Sequence, residues 1–274
     1  MNYRPRKEAE AALNYLREKI DKVPYKVSAR WGFYRILQGL GYRKGDYKKF
    51  IRWESRARKN FWNGWAPDTF EDDTRQTYWS GGGYSNFKEW VDGRKNLTPI
   101  YNAIERQDRI VVCCYEARAM HQQFEHYVGR YRVSLIPFGG DPSIELKWRI
   151  AKEFEEMNEA YSLPIVVLYF GDFDEKGKMI PLSAFKDIRK WCSAPFEFVW
   201  CGLNQEQIKK FKLPRNPEKP KEYQWEALDD PQAKEILLGS LSKYWDLDTI
   251  DALKTEETKD AERWIKLLDQ IKMD

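Results

Sequence analysis

With 274 residues, 42% of them hydrophobic and 33% charged, the chain carries enough apolar material for a buried core and is long enough for two modest domains. No run approaches the roughly 18 consecutive apolar residues of a membrane span, and the opening MNYRPRKEAEAAL lacks the apolar stretch of a signal peptide, so a cytoplasmic protein without membrane contact is expected. The net charge of +4 conceals a division: residues 1–66 hold 17 Lys and Arg against 6 Asp and Glu, while the rest holds 30 against 37, so the surface suited to a polyanion lies in the first quarter.

Residues 7–22 place Ala9, Ala12, Leu13, Leu16 and Ile20 on one stripe, which predicts an amphipathic first helix ended by Pro24. Ser28 is a candidate N-cap for a second helix carrying Phe33, Ile36, Leu37 and Leu40, with Gly41 placed to stop it. Asp46 is expected to cap a third helix whose apolar side uses Phe50, Trp53, Ala57 and Phe61, leaving Lys48, Lys49, Arg52, Arg56, Arg58 and Lys59 on its other faces. Three short helices with a cationic third suit a helix-turn-helix or winged-helix module, because a helix fits the major groove and cations reach the phosphates. A helical hairpin with a solvated basic face is the competing reading.

Residues 67–108 are the least regular part and are expected to be a linker, with a wing or a short helix near Phe87 to Val91. Gly81-Gly82-Gly83 lacks the Lys-Ser/Thr ending of a phosphate-binding loop and predicts a turn. From Arg109 the pattern alternates. Strands are predicted at 109–116, 131–140, 163–172 and 196–202, and helices at 117–127, 143–157, 183–191 and 205–212, followed by a charged helical C-terminal region. Continuous Val/Ile-rich strands separated by helices indicate a mostly parallel α/β sheet covered on both faces.

Functional groups in such sheets gather beyond the carboxyl ends of the strands. Glu116 ends the first strand of this region; Asp172 and Asp174 end the third, and alternation along an extended tip points both the same way. Three hard oxygen donors suit magnesium or manganese better than zinc. Cys113, Cys114, Cys192 and Cys201 show no C-x-x-C spacing, and His121 and His126 fall on different faces of their helix, so zinc, disulfide and histidine-centred hydrolase readings are poorly supplied. An EF-hand fails because Lys176 and Ser183 stand where oxygen ligands are needed. A haloacid-dehalogenase-type phosphatase would want Thr or Val at Lys176.

A strand ending in Glu, a later strand ending in Asp-x-Asp and a glycine soon after resemble the Toprim domain, the metal-binding unit of topoisomerases, primases and some nucleases. SARWGFYRI, residues 28–36, resembles the T-x-R-x-x-Y/F-Y segment of the topoisomerase VI A subunit and its meiotic double-strand-break relatives. FGGDPS at 138–143 and YQWEALDD at 223–230 resemble two further segments of that family, and QIKKFKLPRNPEKP resembles a tail of its compact bacterial and phage members. Trp31, Gly32 and Phe33 depart from the residues usual before the tyrosine, and Glu175 stands where proline is common.

The resemblance implies a winged-helix-like domain over 1–66, a Rossmann-like Toprim domain over 109–245 and a helical tail over 246–274. It implies a DNA transesterase in which Tyr34 attacks a backbone phosphate steadied by Arg30, while Glu116, Asp172 and Asp174 hold Mg2+ or Mn2+. It also implies a homodimer, with Tyr34 of one subunit meeting the acids of the other, and a separate B-type ATPase partner for strand passage. A hydrolytic Toprim nuclease, in which the same acids activate water, and a non-catalytic DNA-binding protein are the alternatives.

Overall fold

A computed structural model describes residues 3–71, 84–214 and 221–270. Helix α1, Lys7–Ile20, buries Ala9, Ala12, Leu13 and Leu16, four of the five stripe residues. Helix α2, Ala29–Leu40, starts where Ser28 Oγ accepts the Trp31 N–H at 3.2 Å and stops at Gly41, whose φ of +71° needs no Cβ to be accommodated. Helix α3, Tyr47–Lys59, follows Asp46, but that carboxylate accepts the Arg43 N–H at 3.0 Å and closes the preceding 3-10 turn. Asp46 therefore does not cap α3. Phe50 and Ala57 are buried as expected, whereas Phe61 is 69% exposed, because the chain leaves α3 at Asn60 and turns through a left-handed φ of 50° at Phe61.

These helices enclose a core of Leu13, Leu16, Phe33, Ile36, Phe50, Ala57, Trp65 and Phe70. Short strands β1 (Val27–Ser28) and β2 (Phe70–Glu71) pair in parallel at its edge. Helix α4, Phe87–Arg94, covers the short helix expected near Phe87 and is capped by Asn86. The triple glycine lies outside the described residues.

The remainder is an α/β unit. Strands β3 (Ile110–Tyr115), β4 (Ser134–Pro137), β5 (Ile165–Phe170) and β6 (Phe196–Gly202) form a four-stranded sheet in the order β4-β3-β5-β6, parallel throughout. All residues of β3 and β5 are buried, which explains their uninterrupted apolar sequences. Alternation sends Val111, Cys113 and Tyr115 to one core and Ile110, Val112 and Cys114 to the other. On the first side pack α5 (His121–Tyr127), α9 (Asp230–Leu241) and α10 (Leu247–Asp269); on the second pack α6 (Ile144–Tyr161) and α7 (Glu175–Trp191). Each fully buried Leu, Ile or Phe on these faces contributes roughly 1.5–3 kcal/mol. The thiols of Cys113, Cys114 and Cys201 are free and buried among them.

Several boundaries differ from expectation: α6 runs on to Tyr161, four residues past the expected end, and α5 begins at His121 after a 3-10 turn. Helix α7 begins at Glu175, not Ser183, because Asp174 caps it, and Pro181 costs it only the bond that would reach the Gly177 carbonyl. Strand β4 is shorter than 131–140 because Gly129–Tyr131 forms a 3-10 turn and Arg132 adopts a left-handed φ of 62°. After β6 comes α8 (Gln205–Lys210). The C-terminal helix α10 docks on the sheet: Ile250 and Leu253 enter the core, and Glu257 pairs with Arg132 and accepts the Tyr101 N–H at 2.7 Å. The described part of 67–108 contributes β2 and α4, while Tyr101, Ala103 and Ile104 pack on the α/β unit.

The N-terminal helices meet the α/β unit through polar contacts. Arg35 of α2 donates to the carbonyls of Glu226 and Leu228, the latter at 3.1 Å, and Gln38 donates to Glu226 O at 3.1 Å. Tyr25 donates to Asp230 at 2.6 Å, and Gln123 donates to the Tyr25 hydroxyl at 2.9 Å.

Candidate active site

The carboxyl ends of β3 and β5 bring the sequence-predicted acids together. Glu116 follows β3; its Oε2 accepts the Asp172 N–H at 3.1 Å, tying the two strand ends to each other. Asp172 Oδ1 accepts the Trp225 N–H at 2.8 Å, and Asp174 Oδ1 accepts the Gly177 N–H at 2.5 Å as the N-cap of α7. Glycines make room for the carboxylates. A Cβ on Gly171 would come within 2.9 Å of Glu116 Oε2, and one on Gly177 within 2.4 Å of the Asp172 carbonyl and 3.1 Å of Glu116 Oε2. The FGGDPS turn borders the same space: Gly139 and Gly140 take φ of +68° and +95°, and Gly140 N–H donates to the Glu116 carbonyl at 3.0 Å.

A fourth acid joins them. Phe173 and Tyr223 form an antiparallel bridge that draws the 223–228 segment across the strand ends, where Trp225–Ala227 makes one 3-10 turn. Glu226 on that turn is 92% buried. No site role follows for it from the sequence alone, although the YQWEALDD segment that carries it stands out there by resemblance. Its position depends on long-range contacts that no local pattern reports.

The charges act on one another. Burial pushes Asp172 well above the usual carboxylate range, Glu226 and Glu116 push it further, and the Trp225 N–H only partly opposes them. Glu116 is raised by burial, eased by its bond from Asp172 N–H, and raised again by Asp174 and Glu226. Glu116, Asp172 and Glu226 face a cleft of about 670 Å³ that Arg30, Arg58 and Lys176 also border; Asp174, turned to cap α7, does not line it.

Arg30 and Tyr34 lie one helical turn apart on α2, close enough for the Arg30 charge to act on the Tyr34 hydroxyl. Burial opposes the Arg30 charge, but Glu226, Tyr34 and Asp172 outweigh it and hold its pKa above the usual value. Tyr34 is 8% exposed; burial and Glu226 raise its hydroxyl above the ordinary tyrosine range, and Arg30 counteracts them. The resemblance implies a tyrosine serving the acids of a second copy; here Tyr34 is charge-coupled to Asp172 and Glu226 of its own chain.

The cations of α3 divide into two groups. Lys48, Arg52, Arg56 and Lys59 are exposed. Lys49 is not a free cation: it pairs with Glu8 at 2.5 Å and lies over the rings of Tyr42 and Trp53. Arg58 pairs with the buried Glu54 at 3.0 Å, donates to the Pro67 carbonyl and borders the cleft.

Among the described residues, no three His, Cys, Asp or Glu side chains stand close enough to hold a metal ion between them. Glu116, Asp172 and Asp174 each spend one oxygen on a backbone N–H, which fixes their spacing. Magnesium keeps several waters and needs only one or two carboxylates, so an all-oxygen donor set with mutual repulsion fits it. Among the described residues no helix is long and apolar enough to cross a membrane. Compared with models of known protein families, with curated proteins and with solved structures, the chain matches none.

Proposed function

We propose that the protein is a magnesium-dependent DNA-cleaving transesterase similar to the topoisomerase VI A subunit. The observation that carries this reading is the meeting, at one cleft, of Arg30 from α2 with Glu116 and Asp172 from the ends of β3 and β5, with Tyr34 one helical turn behind Arg30 and within electrostatic reach of Asp172. A magnesium or manganese ion, when bound, would be held by Glu116, Asp172 and Asp174 and would supply positive charge against the phosphate. Arg30 faces the same cleft and binds a phosphate oxygen. The Tyr34 oxygen forms a bond to phosphorus as the bond to the 3′ oxygen breaks; the phenolic proton passes to water and the departing 3′ oxygen takes one from water to become a hydroxyl, so no net proton is consumed. The product is a 5′-phosphotyrosine link. Lys48, Arg52, Arg56 and Lys59 hold the duplex by its phosphates.

One cleft cuts one strand, so a double-strand break requires two copies, and strand passage requires a separate ATPase. A specific observation favours a second reading: Tyr34 is nearly buried, and its hydroxyl is held protonated by burial and by Glu226. That arrangement suits a hydrolytic nuclease in which water, not Tyr34, attacks phosphorus. Incubating the protein with DNA and Mg2+ and then denaturing it separates the two. Transesterification leaves protein on 5′ ends and is lost in Tyr34→Phe; hydrolysis leaves free 5′ phosphates at equal rates in both proteins.

A further inference from the structure

Glu226 stands apart among the buried acids of the described residues. It is 92% buried, and its carboxylate has no hydrogen bond or ion pair among the described residues, although its own backbone carbonyl has two donors. Neither Arg30 nor Arg35 comes within ion-pair distance of it, in contrast to the buried Glu54 and Glu257, each of which has an arginine partner. A buried carboxylate without a partner costs several kcal/mol unless a cation reaches it. Glu226 borders the cleft that holds Glu116 and Asp172, and of the charges acting on Asp172 its own is the largest.

We infer that Glu226 is a fourth carboxylate of the divalent-cation site, and that the tyrosine-bearing helix α2 holds it there. The inference rests on reading the cleft as a cation site. It explains why a buried acid is placed near Glu116 and Asp172: with a dication present, the repulsion becomes attraction. It also gives Arg35 and Gln38 a role. Their side chains clamp the Glu226 carbonyl, and Arg35 also clamps Leu228, so the turn bearing the acid is fixed to the helix bearing Tyr34 and Arg30. Docking of the N-terminal helices therefore completes the cation site as well as delivering the tyrosine.

The test is Mn2+ binding by the full chain without DNA, read from the electron paramagnetic resonance of free Mn2+, for the unmodified protein, Asp172→Asn, Glu226→Gln, Glu226→Asp and Arg35→Met. Expected are saturable binding by the unmodified chain, its loss in Asp172→Asn, and about 10–100-fold weaker binding in Glu226→Gln. Glu226→Asp should bind more tightly than Glu226→Gln, and Arg35→Met about tenfold more weakly than the unmodified chain. Melting without metal supplies a second readout: Glu226→Gln removes a repelling charge, so it should melt at or above the unmodified chain, while its gain in Tm on adding Mn2+ should be smaller. Unchanged Mn2+ affinity in Glu226→Gln alongside loss in Asp172→Asn would overturn the inference and leave the three-acid site standing. A Glu226→Gln chain that melts lower without metal would also overturn it, by marking Glu226 as structural. Unchanged affinity in Arg35→Met would remove the claim that α2 holds the acid. No binding by the unmodified chain would end the cation reading of the cleft together with the inference.

Discussion

Gly177→Ala is a local probe of the strand-end geometry, because two effects of known sign oppose each other there. Gly177 is the third residue of α7, where alanine gains at most about 1 kcal/mol over glycine in helix propensity. The added Cβ would stand 2.4 Å from the Asp172 carbonyl oxygen and 3.1 Å from Glu116 Oε2. The first neighbour is backbone and cannot rotate away, so Asp172 or the start of α7 must shift, at a cost of about 1–3 kcal/mol. Clash outweighs propensity, and the part that shifts belongs to the acid cluster. Gly239 of α9 is the control, since a Cβ there meets nothing within 4 Å, and Gly239→Ala should stabilise by about 0.5–1 kcal/mol. At about 2–4 °C per kcal/mol, thermal melts by circular dichroism should show the two variants moving in opposite directions. Mn2+ titration should show weakened binding for Gly177→Ala alone. A Gly177→Ala protein that melts higher and binds Mn2+ normally would refute the close packing of α7 against Asp172.

The pH dependence of Asp172 has a definite sign. Its folded pKa is raised, chiefly by burial and by Glu226, so below the ordinary aspartate range it costs nothing, and stability is lost as pH rises from that range through the raised folded value. Asp172→Asn lacks this loss, so without metal its denaturant midpoint should exceed that of the unmodified chain increasingly as pH rises; equal midpoints at pH 5 and pH 8 would contradict the shift. On the basic helix, Arg52→Ala and Arg56→Ala should weaken binding to most DNA sequences, each reducing the slope of log affinity against log salt by about 1, with no change in melting. Arg58→Ala should also destabilise the protein by about 1–3 kcal/mol, because it strands the buried Glu54. Identical melts for Arg56→Ala and Arg58→Ala would count against that ion pair.

The sheet was readable because β3 and β5 are buried on both faces and therefore apolar without interruption, which also marks Glu116 and Asp172 as strand-end residues. Ser28 and Gly41 were readable because caps are local chemistry. What escaped depends on distance along the chain. Glu226 reaches the cleft only through the Phe173–Tyr223 bridge, the Trp225–Asp172 bond and the Arg35 clamp, contacts that span 50 to 191 residues. Lys49 looked like a free cation because its partner Glu8 lies 41 residues away. The expected helix at 183–191 misses the first two turns of α7 because Asp174, the cap that sets their start, is read as part of the acid motif. Asp46 was credited to α3 when the turn before it takes the carboxylate. Glu226 and Lys49 answer to contacts that tertiary structure supplies, whereas Asp46 and Asp174 each choose between two local partners.

The central claim, that the carboxylates serve a tyrosine, is tested most directly by trapping the cleaved state. The full chain is incubated with duplex DNA and Mg2+, denatured, trimmed with nuclease and digested, and the peptide carrying residual nucleotide is sequenced by mass spectrometry. The account predicts a 5′-linked nucleotide on Tyr34, absent in Tyr34→Phe and in Asp172→Asn. Cleaved DNA with free 5′ phosphates and no adduct, produced equally by Tyr34→Phe, would contradict it.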